Sequence, residues 1–125
     1  MKKDNIKKIL IIRLSALGDT IHTLPMALAI KKQYPDAQID WVVEDKASKF
    51  IINNPLITNV YELPKKRWSR NKNKAANLIE FIQIIKRIRK EEYDIALDPQ
   101  QLFKSGIILG LSGAKRRITL DGGRE

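Results

Sequence analysis

Two rhythms of apolar and polar residues alternate along the chain. Short, β-branched runs carry the strand pattern: "KILIIR" (8–13), "AQIDWVVE" (37–44), "TNVYEL" (58–63), "YDIALDP" (93–99) and "RRITL" (116–120). The first is almost continuously apolar, as a strand covered on both faces of a parallel sheet must be. The clearest helical pattern lies in "NKAANLIEFIQIIKRIRKEE", where Leu78, Phe81, Ile82, Ile85, Ile88 and Arg89 recur three and four residues apart. That spacing predicts a helix laid across a sheet. Strands alternating with helices predict an α/β fold with right-handed crossovers: a Rossmann-like, open, mostly parallel sheet with helices on both faces.

Such sheets bind ligands beyond the carboxyl ends of their strands, where strand order reverses, which directs attention to the turn after the first strand. There "RLSALGDTIHTLP" places Gly18 beside a carboxylate, Asp19. Gly18 permits a tight turn, and Asp19 then stands at the mouth of the next helix, either as a helix cap or as a chemical group. Pro25 lacks the N–H that a helix would direct at Ile21, so either the regular helix starts near Leu24 or it kinks. His22 lies in the same stretch and reads as structural or catalytic. Lys65, Lys66, Arg67, Arg70, Lys72 and Lys74 fall within ten residues around Trp68, in a stretch read as a loop. Such a loop either clamps anions through Arg or is simply solvated. "DPQQLFKS" (98–105) follows the fourth strand, and Gln100, Gln101 and Lys104 converge with Asp19 if that strand lies beside the first.

Composition narrows the chemistry. A chain of 125 residues forms one domain, and with no cysteine and one histidine it leaves almost no room for structural zinc, iron–sulfur or thiol chemistry. Gly106, Gly110 and Gly113 match neither a dinucleotide fingerprint nor a P-loop, and read as sites of close helix packing. No Asp-x-Asp pair is present to hold a metal and a diphosphate, and no metal site is expected. Twenty-four Lys and Arg against 14 Asp and Glu give a charge of +10, which favours phosphate-rich or otherwise anionic partners. Neither a signal peptide nor a membrane-spanning run is evident, so a cytoplasmic location is expected. The chain stops at "LDGGRE" directly after a strand, so we expect it to be part of something longer.

In "RLSALGDTIHTLP", "DWVVE", "KKRWSR", "DPQQLFKS" and the terminal "GRE", taken in order, the sequence resembles the amino-terminal half of the lipopolysaccharide core heptosyltransferases, most closely the type adding the first heptose. The resemblance implies the incomplete amino-terminal domain of a B-fold glycosyltransferase, residues 1–125, acting by inverting, metal-independent transfer without a cofactor. It implies an ADP-heptose donor held by an absent carboxyl-terminal domain and a Kdo-lipid A acceptor at the inner membrane face, with the protein peripheral to that membrane. The chain alone is then expected to be inactive. Asp19 falls on the family's general base, Ser15 and Gly18 on its acceptor turn, and Lys66, Arg67, Arg70, Lys104 and Arg124 on or beside basic positions facing the anionic acceptor. Ala16 replaces a serine common in the family, and the segment before Arg124 is shorter than the family pattern. The rival readings are a small basic nucleic-acid-binding module, although no helix-turn-helix or zinc-finger pattern is present, and the acceptor domain of another B-fold transferase.

Overall fold

The computed structural model describes residues 6–14, 17–99 and 103–119, with the backbone alone for 17–22 and 103. Along the chain run β1 (Lys8–Ile12), α1 (Leu17–Gln33), β2 (Gln38–Glu44), α2 (Asp45–Ile52), β3 (Asn59–Leu63), α3 (Lys65–Arg70), α4 (Lys74–Glu91), β4 (Ile95–Asp98), α5 (Phe103–Leu111) and β5 (Arg116–Thr119). The strands form one sheet in the order β3-β2-β1-β4-β5. All its pairings are parallel. The expected Rossmann-like architecture is present, and β4 does lie beside β1, with Ile11 opposite Leu97. Strand order therefore reverses at the β1/β4 crevice.

The period of two along each strand divides the core. Leu10, Ile12, Val42, Tyr61, Leu63 and Ala96 face one layer, where Ile84, Ile85 and Ile88 of α4 and Ile108 and Leu109 of α5 cover them. Ile9, Ile11, Ile39, Trp41, Val43, Ile95 and Leu97 face the other, under Ala27 of α1 and Ala47 and Ile51 of α2. Each central strand is thus apolar on both sides.

Four expectations need correction. First, α1 starts at Leu17 and runs through Pro25, so Asp19 lies in the first helical turn and is not its cap, and the helix does not wait for Leu24. Second, the basic stretch 65–70 is a short helix, because other elements satisfy its ends. The Lys66 amide donates to Asp45 Oδ2 at 3.1 Å, while the Trp68 carbonyl accepts from Asn77 Nδ2 at 2.8 Å and Lys74 Nζ at 3.0 Å. Third, the buried stripe of α4 is Ile84, Ile85 and Ile88 with Phe81 half-buried, whereas Leu78 and Ile82 stay exposed. Fourth, among the described residues a Cβ on Gly106 or Gly110 would meet nothing within 4 Å, so neither glycine serves close packing against them. Gly113 lies beyond α5, where its φ of +74° turns the chain against Arg89.

At the amino edge of the sheet a buried polar network joins the strands. Asp40 Oδ1 accepts from the Asn59 amide at 3.0 Å, and Asp40 Oδ2 accepts from Gln38 Nε2 at 2.9 Å and from the Tyr93 hydroxyl. The Tyr93 hydroxyl also meets that of Tyr61 at 2.8 Å. Burial, reinforced by Asp40, pushes the Tyr93 phenol far up. Asp94 Oδ2 accepts from the amides of Lys7 at 2.7 Å and Lys8 at 3.0 Å, tying the start of β1 to β4. Burial pushes the Asp94 carboxyl up, but the two amides and Lys115 together outweigh it and hold the group below its ordinary value. No helix among the described residues is long and apolar enough to cross a membrane.

Candidate functional site

The residues after β1 are fixed by β2: the Arg13 amide donates to the Val42 carbonyl at 3.2 Å, the Arg13 carbonyl accepts from the Trp41 indole at 3.2 Å, and the Leu14 carbonyl accepts from the Glu44 amide at 2.8 Å. Leu14, Glu44 and Leu63 thereby meet at the carboxyl ends of β1, β2 and β3. With Lys65 and Trp68 of α3, Phe81 of α4, and Lys104, Ile107 and Ile108 of α5 they line a cavity of about 180 Å³. Helices α1 and α5 follow β1 and β4, so both begin at this edge and direct the positive ends of their dipoles toward it.

The cavity is apolar on most of its wall, with Lys65 and Lys104 as neighbouring cations and the buried Glu44 as its acid. Burial lowers the Lys65 ammonium, the charge of Lys104 lowers it further, and Glu44 opposes both. Two ammoniums held side by side at an apolar wall repel each other, and an anion placed between them relieves that repulsion. The site is therefore suited to a ligand with a phosphate or carboxylate at one end and an apolar or sugar face against Trp68 and Phe81.

The basic stretch does not act as one patch. Helical spacing turns Lys65 and Trp68 to this cavity, whereas Lys66, Arg67 and Arg70 line a separate open concavity with Asp45, Glu62, Pro64 and Asn71. Nor is Arg67 without an acid. Its guanidinium makes a bidentate pair with Glu80 of α4 at 2.9 and 2.7 Å, and the Trp68 indole donates to the same carboxylate at 2.9 Å. Arg67 chiefly, and Trp68 after it, hold the Glu80 carboxyl at about 2. The Trp68 ring stands edge-on to Phe81 with centroids 6.3 Å apart, so α3 is seated on α4 by an aromatic contact and an ion pair together.

Of the described residues singled out from sequence, Lys104 lines the cavity together with Lys65 and Trp68 of the basic stretch, whereas Lys66, Arg67 and Arg70 gather on the far side of α3. The backbone of Gly18, Asp19 and His22 runs in the opening turns of α1. Ser15, Gln100, Gln101 and Arg124 lie outside the described residues, as do the side chains of Asp19 and His22. Glu44 belongs to the cavity but was not singled out from sequence, and Lys65 was read there only as one member of the basic cluster. Their signal was available, since each stands at or just past the carboxyl end of a predicted strand, where ligands of such sheets are met.

No family model matches the chain. Lipopolysaccharide heptosyltransferase 1 of Campylobacter coli is 39% identical over 101 residues, which is 81% of this chain and 27% of that protein. Lipopolysaccharide heptosyltransferase 1 of Pseudomonas aeruginosa is 32% identical over 98 residues, 78% of this chain and 28% of that protein. Among solved structures, the Escherichia coli heptosyltransferase WaaC with ADP superposes with a TM-score of 0.75 at 26% identity, covering 89% of this chain and 35% of the other. The chain spans a little over a quarter of the length of these curated relatives. By sequence and by fold together, it belongs to the lipopolysaccharide heptosyltransferase family.

Proposed function

We propose that the chain is the acceptor-binding, amino-terminal domain of an enzyme that transfers heptose from ADP-heptose to Kdo-lipid A in the lipopolysaccharide inner core, by inverting, metal-independent displacement at the inner membrane face. The observation carrying this reading is the apolar cavity with paired Lys65 and Lys104 at the sheet edge from which α1, the helix of Asp19, departs. In that reading the lysines receive the anionic groups of the acceptor and Trp68 packs against its sugar. Asp19 takes the proton from the attacking hydroxyl as the bond to the heptose carbon forms and ADP leaves. One carboxylate suffices for such a displacement, because the diphosphate is already a good leaving group. The donor is held by a further domain, consistent with the share of its relatives that this chain spans. Lys66, Arg67 and Arg70 form a second basic surface for the acceptor's outlying phosphates, Lys66 and Arg70 directly and Arg67 at the cost of its pairing with Glu80.

Titration calorimetry with soluble Kdo-lipid A headgroup, ADP-heptose and a short DNA duplex tests the reading. We expect selective headgroup binding that weakens roughly tenfold in Lys104→Gln, the loss of one charged hydrogen bond. Equal and steeply salt-dependent binding to DNA would overturn it in favour of a generic basic surface. The base is tested in a chimera that places this chain in the matching segment of the Campylobacter coli relative. There Asp19→Asn is expected to lower transfer by about 10²–10⁴ with an unchanged melting temperature, and wild-type turnover would remove Asp19 from the chemistry.

A further inference from the structure

Helix α4 leaves apolar residues on the flank that faces α5. Leu78, Ile82 and Arg89 are spaced by four and seven residues and so share one strip of the helix, and Arg89 Nη1 donates to the Leu111 carbonyl of α5 at 3.0 Å. On α5, Lys104, Ile107 and Leu111 form the corresponding strip, and Lys104 and Ile107 line the cavity together with Phe81 of α4. Both strips are open to solvent: Leu78 is 58% exposed, Ile82 43%, Ile107 40% and Leu111 42%, with Ile79 (56%) also exposed on α4.

Within the spans of the two helices, bases outnumber acids among the described residues. Among the described residues α5 carries no acid, and the two acids within α4 are on its other flank, Glu80 bound to Arg67 and Glu91 to Lys8. On these two helices Lys86 and Lys104 are exposed, and Lys65 of α3 lines the cavity with Lys104. Exposed leucine and isoleucine accompanied by lysine on the same helices is the composition of a surface that lies in the headgroup region of an anionic bilayer. The aliphatic side chains enter the acyl boundary and the ammoniums meet lipid phosphates.

We propose that the α4–α5 face is a membrane-docking surface for bilayers containing anionic lipid, which sets the mouth of the site cavity at the lipid surface. The inference places the membrane association contained in the proposed function, and it stands on the surface alone without needing the heptosyl chemistry. A lipid-borne substrate would then reach Lys65 and Lys104 from this face without leaving the interface.

The test is co-sedimentation of the 125-residue chain with vesicles of phosphatidylethanolamine and phosphatidylglycerol, against vesicles of phosphatidylcholine alone. Binding to the anionic vesicles is expected, weakened about tenfold or more by the double variant Leu78→Gln/Ile82→Gln and by Leu111→Gln. Lys86→Gln should weaken it about fivefold. These side chains are exposed, so melting temperatures should not change, and a circular dichroism melt of each variant verifies that. Absence of binding to anionic vesicles, or binding that the apolar variants leave unchanged and salt alone abolishes, overturns the proposal. So does a concentration-dependent dimer that Leu78→Gln/Ile82→Gln dissolves, which would assign the face to a second copy. Neither Leu78, Ile82 nor Leu111 lines the cavity, so headgroup calorimetry on the same variants separates failure of the docking surface from failure of the acceptor site.

Discussion

Removing one hydroxyl from the amino-edge network should lower stability without touching the site. Tyr93 is fully buried, and its hydroxyl donates to Asp40 and meets Tyr61 at 2.8 Å. Tyr93→Phe keeps the ring and its packing but deletes both bonds. The bond to the carboxylate is of the kind that contributes about 1.5–3 kcal/mol, and the phenol–phenol bond about 0.5–1.5. Asp40 retains the Gln38 side chain and the Asn59 amide as donors, so it is not orphaned and the sum stays toward the lower end. We expect a loss of about 2–3 kcal/mol. With a urea m-value of about 2 kcal/mol per molar, the midpoint falls by about 1 M. Tyr61→Phe, which deletes only the shared bond, should cost about 0.5–1.5 kcal/mol, and the double variant less than the sum of the singles, because that bond is lost once. Urea unfolding followed by far-ultraviolet circular dichroism measures all three. Headgroup calorimetry should be unchanged, since the network and the cavity occupy opposite edges of the sheet. A Tyr93→Phe cost below about 0.5 kcal/mol, or strictly additive singles, would refute the network as a stabilising unit.

Asp94 sits below its ordinary value in the folded chain, so its contribution to stability is present above that value and is lost as pH falls through the folded one. Unfolding measured between pH 7 and pH 3 should therefore show a decline at the acid end that Asp94→Asn flattens; an identical decline in the variant would place the acid sensitivity elsewhere. In the cavity, Lys104→Gln removes a charge that depresses Lys65 while leaving burial in place, so the Lys65 ammonium should rise part of the way back, as read by NMR titration of the lysine Nζ-linked carbons. An unmoved Lys65 would mean the two side chains do not share the cavity.

The strands were legible because their residues answer to the sheet alone. Ile9 to Ile12 have apolar neighbours on both faces whatever the helices do, and that requirement is written as an uninterrupted apolar run. Helix α4 was legible in existence but not in rotation. Its apolar residues exceed one stripe, and only the seating of Ile84, Ile85 and Ile88 on the sheet decides that Leu78 and Ile82 remain outside. Helix α3 was not legible at all, since "KKRWSR" has no apolar period and its helical state rests on Asp45, Asn77 and Glu80, contacts distant in sequence. With α3 read as a loop, its cations formed one cluster; as a helix, it divides them between two faces.

That division bears on why the carboxyl edge is the better candidate for binding. At the amino edge each carboxylate faces its own donors: Asp40 has Tyr93, Gln38 and Asn59, and Asp94 has two backbone amides. Such a network is closed, and a ligand would have to break bonds to enter. At the carboxyl edge α3 and α5 bring two ammoniums together over an apolar wall with Glu44 as the adjoining acid, an arrangement that like-charge repulsion disfavours until an anion completes it. Glu44 offsets part of the repulsion between Lys65 and Lys104, and a bound anion would offset more of it. The remaining repulsion would favour an anion in the proposed site, while the closed amino-edge network supplies stability elsewhere.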